Sequence, residues 1–327
     1  MLGDEVINLC RGSLRQIATA ANLRKSTTSV SANRSLKCKT AASSVTGAPV
    51  PACARLRGLV EASASDGSLA TDTACRHEAV ANDAGSTRRG LFGKAPVKPG
   101  SELTFDEVVL GRRSARGFKR DPVPKAVIKE VIEIAMRAPS SLNTQPWSFY
   151  VVSGEPLDRI RAGNTERNLA GVPPSREVRS HGEYVGAHRE RQIGIAKQLF
   201  GAMGIERHDQ DARKDWVLRG FRQFDAPVSV VITYDRSIHG GDIAPFDCGG
   251  VTNALVNAAW SRGLGCVINS QGIMQSPVVR EHAGIAEDQV IMICVALGYP
   301  DDDFPANAVV SQRKSVDEAA VFVGFDE

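Results

Sequence analysis

The sequence predicts a layered α/β or α+β sandwich built on a central sheet of four or so strands, and three observations carry that reading. Four short apolar runs, at 149–152, 228–234, 266–268 and 290–297, have the length and composition of buried strands. Between them lie stretches with apolar residues at three-and-four spacing, as in Val127, Ile128, Val131, Ile132, Ala135 and Met136. Strands and helices alternate along the chain, which places helices against the faces of one sheet.

Residues 1 to about 100 stand apart from this pattern. They are rich in Ser, Ala, Thr and Arg and have no sustained hydrophobic period. Arg11, Arg15, Arg24, Lys25, Arg34, Lys37, Lys39, Arg55 and Arg57 occupy a stretch with no acidic residue between Glu5 and Glu61. Basic, Ser-rich and acid-poor is the composition of an organelle transit peptide, although Asp4 and Glu5 fit that badly, and a disordered, solvated extension is the other reading. Residues 101–327 are expected to form one folded domain, of roughly 225 residues, within the ordinary size range. No apolar run is long enough for a secretory core or a membrane span, so a soluble intracellular protein without a membrane partner is expected. A transit peptide would place it in a mitochondrion or plastid; otherwise it is cytoplasmic.

Within the folded part, Thr104-Phe105-Asp106-Glu107 has capping-box spacing, so a short helix should start near 105 and run toward Gly111. Its end delivers Arg112-Arg113-Ser114-Ala115-Arg116. Pro124 suits the first turn of the next helix, which must stop before Pro139. A polar loop, Ala138 to Trp147, leads into the strand at 149–152, closed by Ser153-Gly154 and followed by a helix from Glu155. From 165 to 224 the sequence is charged and irregularly helical, interrupted by Gly171-Val172-Pro173-Pro174, and reads as an insertion or lid. After the strand at 228–234, residues 247–262 form a long helix with small residues at Gly249, Gly250, Asn253, Ala254, Asn257 and Ala258. That helix either packs closely against a second copy or covers its own sheet. Strands at 266–268 and 290–297 flank a helix at 276–283.

Composition excludes several function classes. The formal net charge is +3, much of it in the extension, and no basic face with groove-reading elements is apparent, so nucleic acid is not an expected partner. The seven cysteines include no CxxC pair, which argues against a zinc site or disulfide framework, and Cys248, Cys266 and Cys294 lie in apolar patterns suited to buried free thiols. His181, His188, His208, His239 and His282 lack metal-ligand spacing. Chemistry is therefore sought in the arginines. A guanidinium grips phosphate with paired charge-assisted hydrogen bonds and stays charged at working pH. Arg112, Arg113, Ser114 and Arg116 crowd one short segment, and Arg313 with Lys314 forms a second group near the far end of the domain. Alone, such a run is usually a solvated face. Two runs from opposite ends of a domain can converge on one phosphate.

These residues carry a resemblance. Arg-Arg-Ser-x-Arg-x-Phe from 112, Pro-Val-Pro from 122, Ala-Pro-Ser-Ser-x-Asn-x-Gln-Pro-Trp from 138, Gly-Leu-Gly from 263, Val-Arg-Glu-His from 279 and Leu-Gly-Tyr-Pro from 297 resemble the flavin-dependent nitroreductase family, in particular its nitrobenzoate-reductase-like branch. The match runs from about Phe105 to the C terminus and leaves out the first hundred residues. It implies an α+β sandwich with a central, mainly antiparallel sheet, and an intertwined homodimer holding FMN at the subunit interface. It also implies that Arg112, Arg113, Ser114 and Arg116 grip the phosphate with Arg313 and Lys314. Pro139, Ser140, Ser141 and Asn143 would approach the flavin ring, usually from the other subunit. Asn143 offers both a donor and an acceptor to the polar edge of the ring; Ser140 and Ser141 are equally suited to capping the helix end. Ser270, Gln271 and Gly272 would face the N5 and O4 side. Members often have an acidic residue where Gln271 stands, and the contact there is implied to be mainly through backbone.

The implied activity is a ping-pong oxidoreduction in which NADH or NADPH passes hydride to flavin N5 and a nitroaromatic or quinone-type acceptor then takes it. The cofactor supplies the chemistry, so no catalytic side chain is sought. Arg176, Arg179, Arg189 and Arg191, with Tyr184, Phe200 and Trp216, suit an aromatic carboxylate acceptor; exposed arginines on solvated helices are the plainer reading. Other flavin chemistry on the same fold (reductive dehalogenation, ene reduction, flavin fragmentation) and a non-enzymatic flavin-binding role stay open.

Overall fold

A computed structural model describes residues 98–179 and 182–325. The N-terminal extension and its transit-peptide reading fall outside the described residues. At the centre of the fold lies strand β2 (Val228–Asp235), buried at every position from Val228 to Tyr234. Such an unbroken run is expected of a strand covered on both faces. Val230, Ile232 and Tyr234 face one side and Val231 the other, following the two-residue period of a strand.

Three strands join β2 in one wholly antiparallel sheet. β1 (Trp147–Ser153) and β4 (Gln289–Gly298) flank it, and β3 (Gly265–Asn269) pairs with the outer side of β4, giving the order β1-β2-β4-β3. Register places Trp147 opposite Tyr234, and Leu297 between Val228 and Cys266. β1 begins two residues before the expected 149, because Trp147 is buried and pairs with Tyr234.

Helices cover both faces, as the alternation in sequence required. On one face lie α2 (Lys125–Ala135) and α6 (Ile243–Trp260), where Ile128, Val131 and Ala135 meet Val251, Leu255 and Ala259 over Val230 and Ile232. On the other lie α3 (Gly154–Leu169) and α7 (Ser276–Ala283), joining Leu157, Ile160 and Val279 to Val231 and Ile291. Each fully buried aliphatic side chain contributes roughly 1.5–3 kcal/mol relative to exposure. A short helix, α1 (Phe105–Gly111), precedes these and starts in the expected capping box: the Thr104 hydroxyl accepts from Glu107 N–H, and the Glu107 carboxylate from Thr104 N–H.

Helix α6 begins at Ile243 rather than Asp247. Pro245 falls in its first turn, where a missing N–H breaks no helical bond. Cys248, Val251, Thr252, Leu255 and Ala259 make its buried face. Gly249, Gly250 and Asn253 lie on the other face, exposed beside Ile243 and Phe246, and a Cβ on either glycine would meet nothing within 4 Å. The helix therefore covers its own sheet: of its small residues Ala258 belongs to the core and Ala254 packs against it, while Gly249, Gly250 and Asn253 are turned away.

Residues 165–224 contain α4 (Gly186–Ala202) and α5 (Gln210–Phe221). The stretch before α4 is anchored through Glu177, which pairs with Arg280 at 2.6 Å and Arg236 at 3.0 Å and accepts the N–H of Ile291. Cys248, Cys266 and Cys294 are free and buried. Burial pushes the Cys248 and Cys294 thiols up to about 12 and Cys266 up as well. Among the described residues no helix is long and apolar enough to cross a membrane, and no cluster of metal-ligating side chains forms.

Candidate functional site

The arginine run follows directly from the end of α1. Arg112 turns into extended backbone, and the chain then lies along the free edge of β3, where Ala115 N–H donates to Cys266 O at 2.9 Å. The approach is close enough that a Cβ on Gly265 would meet Ala115 at 2.7 Å and Pro300 at 3.2 Å. Arg113 donates from Nε to Asn307 O at 2.8 Å and lies 5.6 Å from the Trp260 ring centroid. Arg116 donates to Ser114 O. Burial lowers the pKa of all three guanidiniums from the ordinary arginine value, and the charge of Arg313 lowers Arg112 further. Among the described residues no carboxylate forms an ion pair with any of them. Arg112 and Arg313 are thus near neighbours, though they start 201 positions apart in the sequence. Lys314 is exposed and turned to Glu318 O.

The second group, Pro139 to Asn143, lies elsewhere. Leu142, Asn143 and Gln145 all have positive φ, and Leu142 is 96% exposed. A left-handed conformation costs such residues roughly 1–2 kcal/mol each, so the loop needs bracing. Ser140 Oγ accepts the N–H of Gln145, Gln145 Nε2 reaches Asn143 O, and Asp247 of α6 accepts the N–H of Ser141 at 3.1 Å. Pro139, Ser141 and Asn143 are exposed, and Ser140 is half-buried. Because the loop is tied to Asp247 and Arg113 stacks on Trp260, the two groups are separated by about 20 Å of α6 at 1.5 Å per residue.

A third group, Ser270 to Gly272, forms the turn after β3. Ser270 is exposed. The N–H of Gln271 is engaged by Asn269 Oδ1 at 3.0 Å, and its side chain donates to Val217 O of α5. Gly272 is buried, and a Cβ there would meet Cys294 Sγ at 2.6 Å and Gln223 at 2.9 Å. Of the three, Ser270 is exposed, Gln271 half-buried and Gly272 buried.

Residues 109–299 match the model of the nitroreductase family. The chain belongs to the nitroreductase family. It is 33% identical over 225 residues to a nitrobenzene nitroreductase of Ectopseudomonas oleovorans, covering 67% of this chain and 96% of that protein. A 4-nitrobenzoate reductase of Pseudomonas putida is 32% identical over 225 residues, with 96% of its length covered. Among solved structures, the FMN- and NADPH-dependent nitroreductase NfnB from Sphigopyxis sp. strain HMH superposes with a TM-score of 0.64 at 28% identity, over 68% of this chain and all of that one. These likenesses give the chain the nitroreductase fold and a general oxidoreductase role.

In this nitroreductase-family chain the arginines between 165 and 224 do not form one cluster. Arg176 lies against Met274 Sδ, and Arg189 bonds Gln192 on its own helix. Arg191 alone joins Tyr184 and His188, in an open groove of about 700 Å3 between α4 and Ser311-Gln312. Phe200 carries the buried Arg213 on its ring at 4.8 Å. The second half of the segment is built into the fold. Gly220 O accepts from Asn269 Nδ2, and Arg219 donates to Arg116 O and lies over Phe304 at 4.8 Å.

Sequence reasoning missed the residues that hold these groups in place. Asn164 Nδ2 donates to Gly272 O at 2.7 Å while its Oδ1 accepts the N–H of Gln275, fixing the third group from below. Asn269, Asn307, Asp247 and Arg219 have comparable roles. Each is an isolated polar residue in an unremarkable context, so spacing offered no signal for any of them.

Proposed function

We propose that the chain is an FMN-dependent oxidoreductase that takes reducing equivalents from NADH or NADPH and delivers them to nitroaromatic or quinone-type acceptors, working as a homodimer. The observation that carries the reading is the set of Arg112, Arg113 and Arg116, partly desolvated and with no ion-paired carboxylate among the described residues, Asp302 acting on Arg113 only from a distance. Arg112 is opposed by the charge of Arg313, all three guanidiniums are partly desolvated, and a dianionic phosphate offsets both penalties. The donor set therefore fits FMN. Bound FMN supplies two-electron chemistry at N5, with nicotinamide as donor and the acceptor as oxidant. The protein's part is to hold the phosphate, orient the ring and shape the cleft.

A second copy supplies what one chain lacks. The loop at 139–143 lies about 20 Å along α6 from the arginine run. The uncovered face of α6, with Phe246 at 78% exposure, and the terminal Val321-Phe322-Val323, with Val321 at 90%, are apolar surfaces that a partner would bury. A two-fold arrangement across α6 would bring the loop of one subunit, led by Asn143, toward the arginine run of the other. Ser270 would border the ring, and the segment 165–224 would cover the cleft, with Tyr184, His188 and Arg191 selecting the acceptor.

The phosphate assignment is tested by the full-length Arg112→Ala/Arg116→Ala double variant. It should keep its circular-dichroism spectrum and lose flavin through purification, because each charge-assisted hydrogen bond contributes roughly 1.5–3 kcal/mol. Full flavin occupancy in the double variant would place the phosphate elsewhere.

A further inference from the structure

We infer that Asn307 is the positioning residue of the phosphate grip. It stands on a short 3-10 turn, Pro305–Ala308, and is 7% exposed. Its Oδ1 accepts the N–H of Arg116 at 2.6 Å and that of Gly117 at 3.1 Å. Its Nδ2 donates to Gly117 O and Asp301 O, each at 2.8 Å. Its backbone carbonyl accepts Nε of Arg113 at 2.8 Å. Both ends of the amide are therefore committed, to Arg116, to the adjoining Gly117 and to Asp301, while the backbone carbonyl holds Arg113.

The chemistry of the site explains why an amide stands there. The backbone at 116–117 presents two N–H groups and a carbonyl toward one buried point, and a single side chain satisfies both kinds only if it carries a donor and an acceptor. Removing it leaves buried polar groups unpaired. The run also needs support from outside itself, since its guanidiniums are partly desolvated and the charge of Arg313 opposes Arg112. Asn307 gives that support, and the turn it sits on begins the segment that carries Arg313 back to Arg112. One residue thus sets the spacing of two basic groups that come from opposite ends of the domain.

This inference rests on the phosphate assignment made above, and the test separates the two. Dissociation constants of the full-length apoprotein for FMN and for riboflavin, which has the same ring and no phosphate, are measured by flavin fluorescence for wild type, Asn307→Ala and Asn307→Asp. Asn307→Asp keeps the acceptor but sets a carboxylate against two carbonyls. Wild type should prefer FMN, and both variants should lose FMN affinity on the order of 10-fold or more while riboflavin affinity changes less than about threefold, as when the support behind a ligating group is removed. A folded variant that keeps the wild-type FMN-to-riboflavin ratio, or loses both ligands equally, overturns the role of Asn307 and leaves the phosphate site standing. A wild type indifferent to the phosphate overturns the site itself. Should neither variant fold, hydrogen exchange in wild-type apoprotein decides. The Arg116 and Gly117 amides should be protected without flavin, and fast exchange at both would contradict the inference.

Discussion

Gly117 lies directly beneath the ring of Phe304, which any Cβ at that position would overlap, and Arg219 stacks on the same ring at 4.8 Å. Gly117→Ala must push Phe304 away from the arginine run. We expect a loss of about 1–3 kcal/mol in urea denaturation, typical of an overpacked site, together with weaker FMN binding. The buried thiols make a second prediction. Burial holds Cys248 and Cys294 at about 12, above the ordinary thiol value near 8.5 that applies once the chain unfolds. A raised folded-state pKa means that the native state keeps protons the unfolded state releases. Stability from these groups is therefore full below about pH 8.5 and falls as pH rises toward 12. Denaturation midpoints measured across pH 8 to 11 should decline, and more steeply than in Cys248→Ala. At this scale charge density in the sequence pointed to the Arg112 and Arg313 groups, and the structure brings Arg313 within the field of Arg112. The sequence was silent on Asn307 and Asn164, because a lone Asn in a loop or helix has no pattern until its partners are known. Lys314, marked in the sequence by its place beside Arg313, reaches Glu318 O.

Helix α1 exists to deliver the arginine run at a fixed angle, and its capping box starts it. Thr104→Ala should cost about 1 kcal/mol by loss of the cap, and the effect should appear in thermal unfolding as well as in FMN affinity. Helix α6 carries more weight. Leu255 is fully buried between α2 and the sheet, so Leu255→Ala should cost about 2–5 kcal/mol in urea unfolding. The four strands were visible as apolar runs and α2 as three-and-four spacing, while α1 was marked by its capping box. Boundaries were less visible. Pro245 disguises the start of α6, and Trp147 belongs to β1 because of what it pairs with across the sheet. The segment 165–224 read as a lid because α4 and α5 have weak amphipathic patterns. The contacts of Gly220 with Asn269 and of Arg219 with Arg116 bind its second half to the two groups proposed to hold the flavin.

On the scale of the molecule, fold and family agree: an antiparallel four-stranded sheet between two helical layers, in a chain of the nitroreductase family. The proposed homodimer rests on the exposed face of α6 and is open to test. A larger side chain at Gly250 has room within the chain itself, so Gly250→Glu should fold normally. It should nevertheless run as a monomer in light scattering and fail to retain flavin. A dimer that still holds flavin would mean that α6 is not the interface. The central claim is tested most directly by the visible absorption spectrum of the purified full-length protein, followed under anaerobic conditions through addition of NADH, then NADPH, then nitrobenzene. The account predicts a flavin spectrum that one nicotinamide bleaches and the nitroaromatic restores. A colourless protein that cannot be reconstituted with FMN, or a flavoprotein that neither nicotinamide reduces, would contradict it.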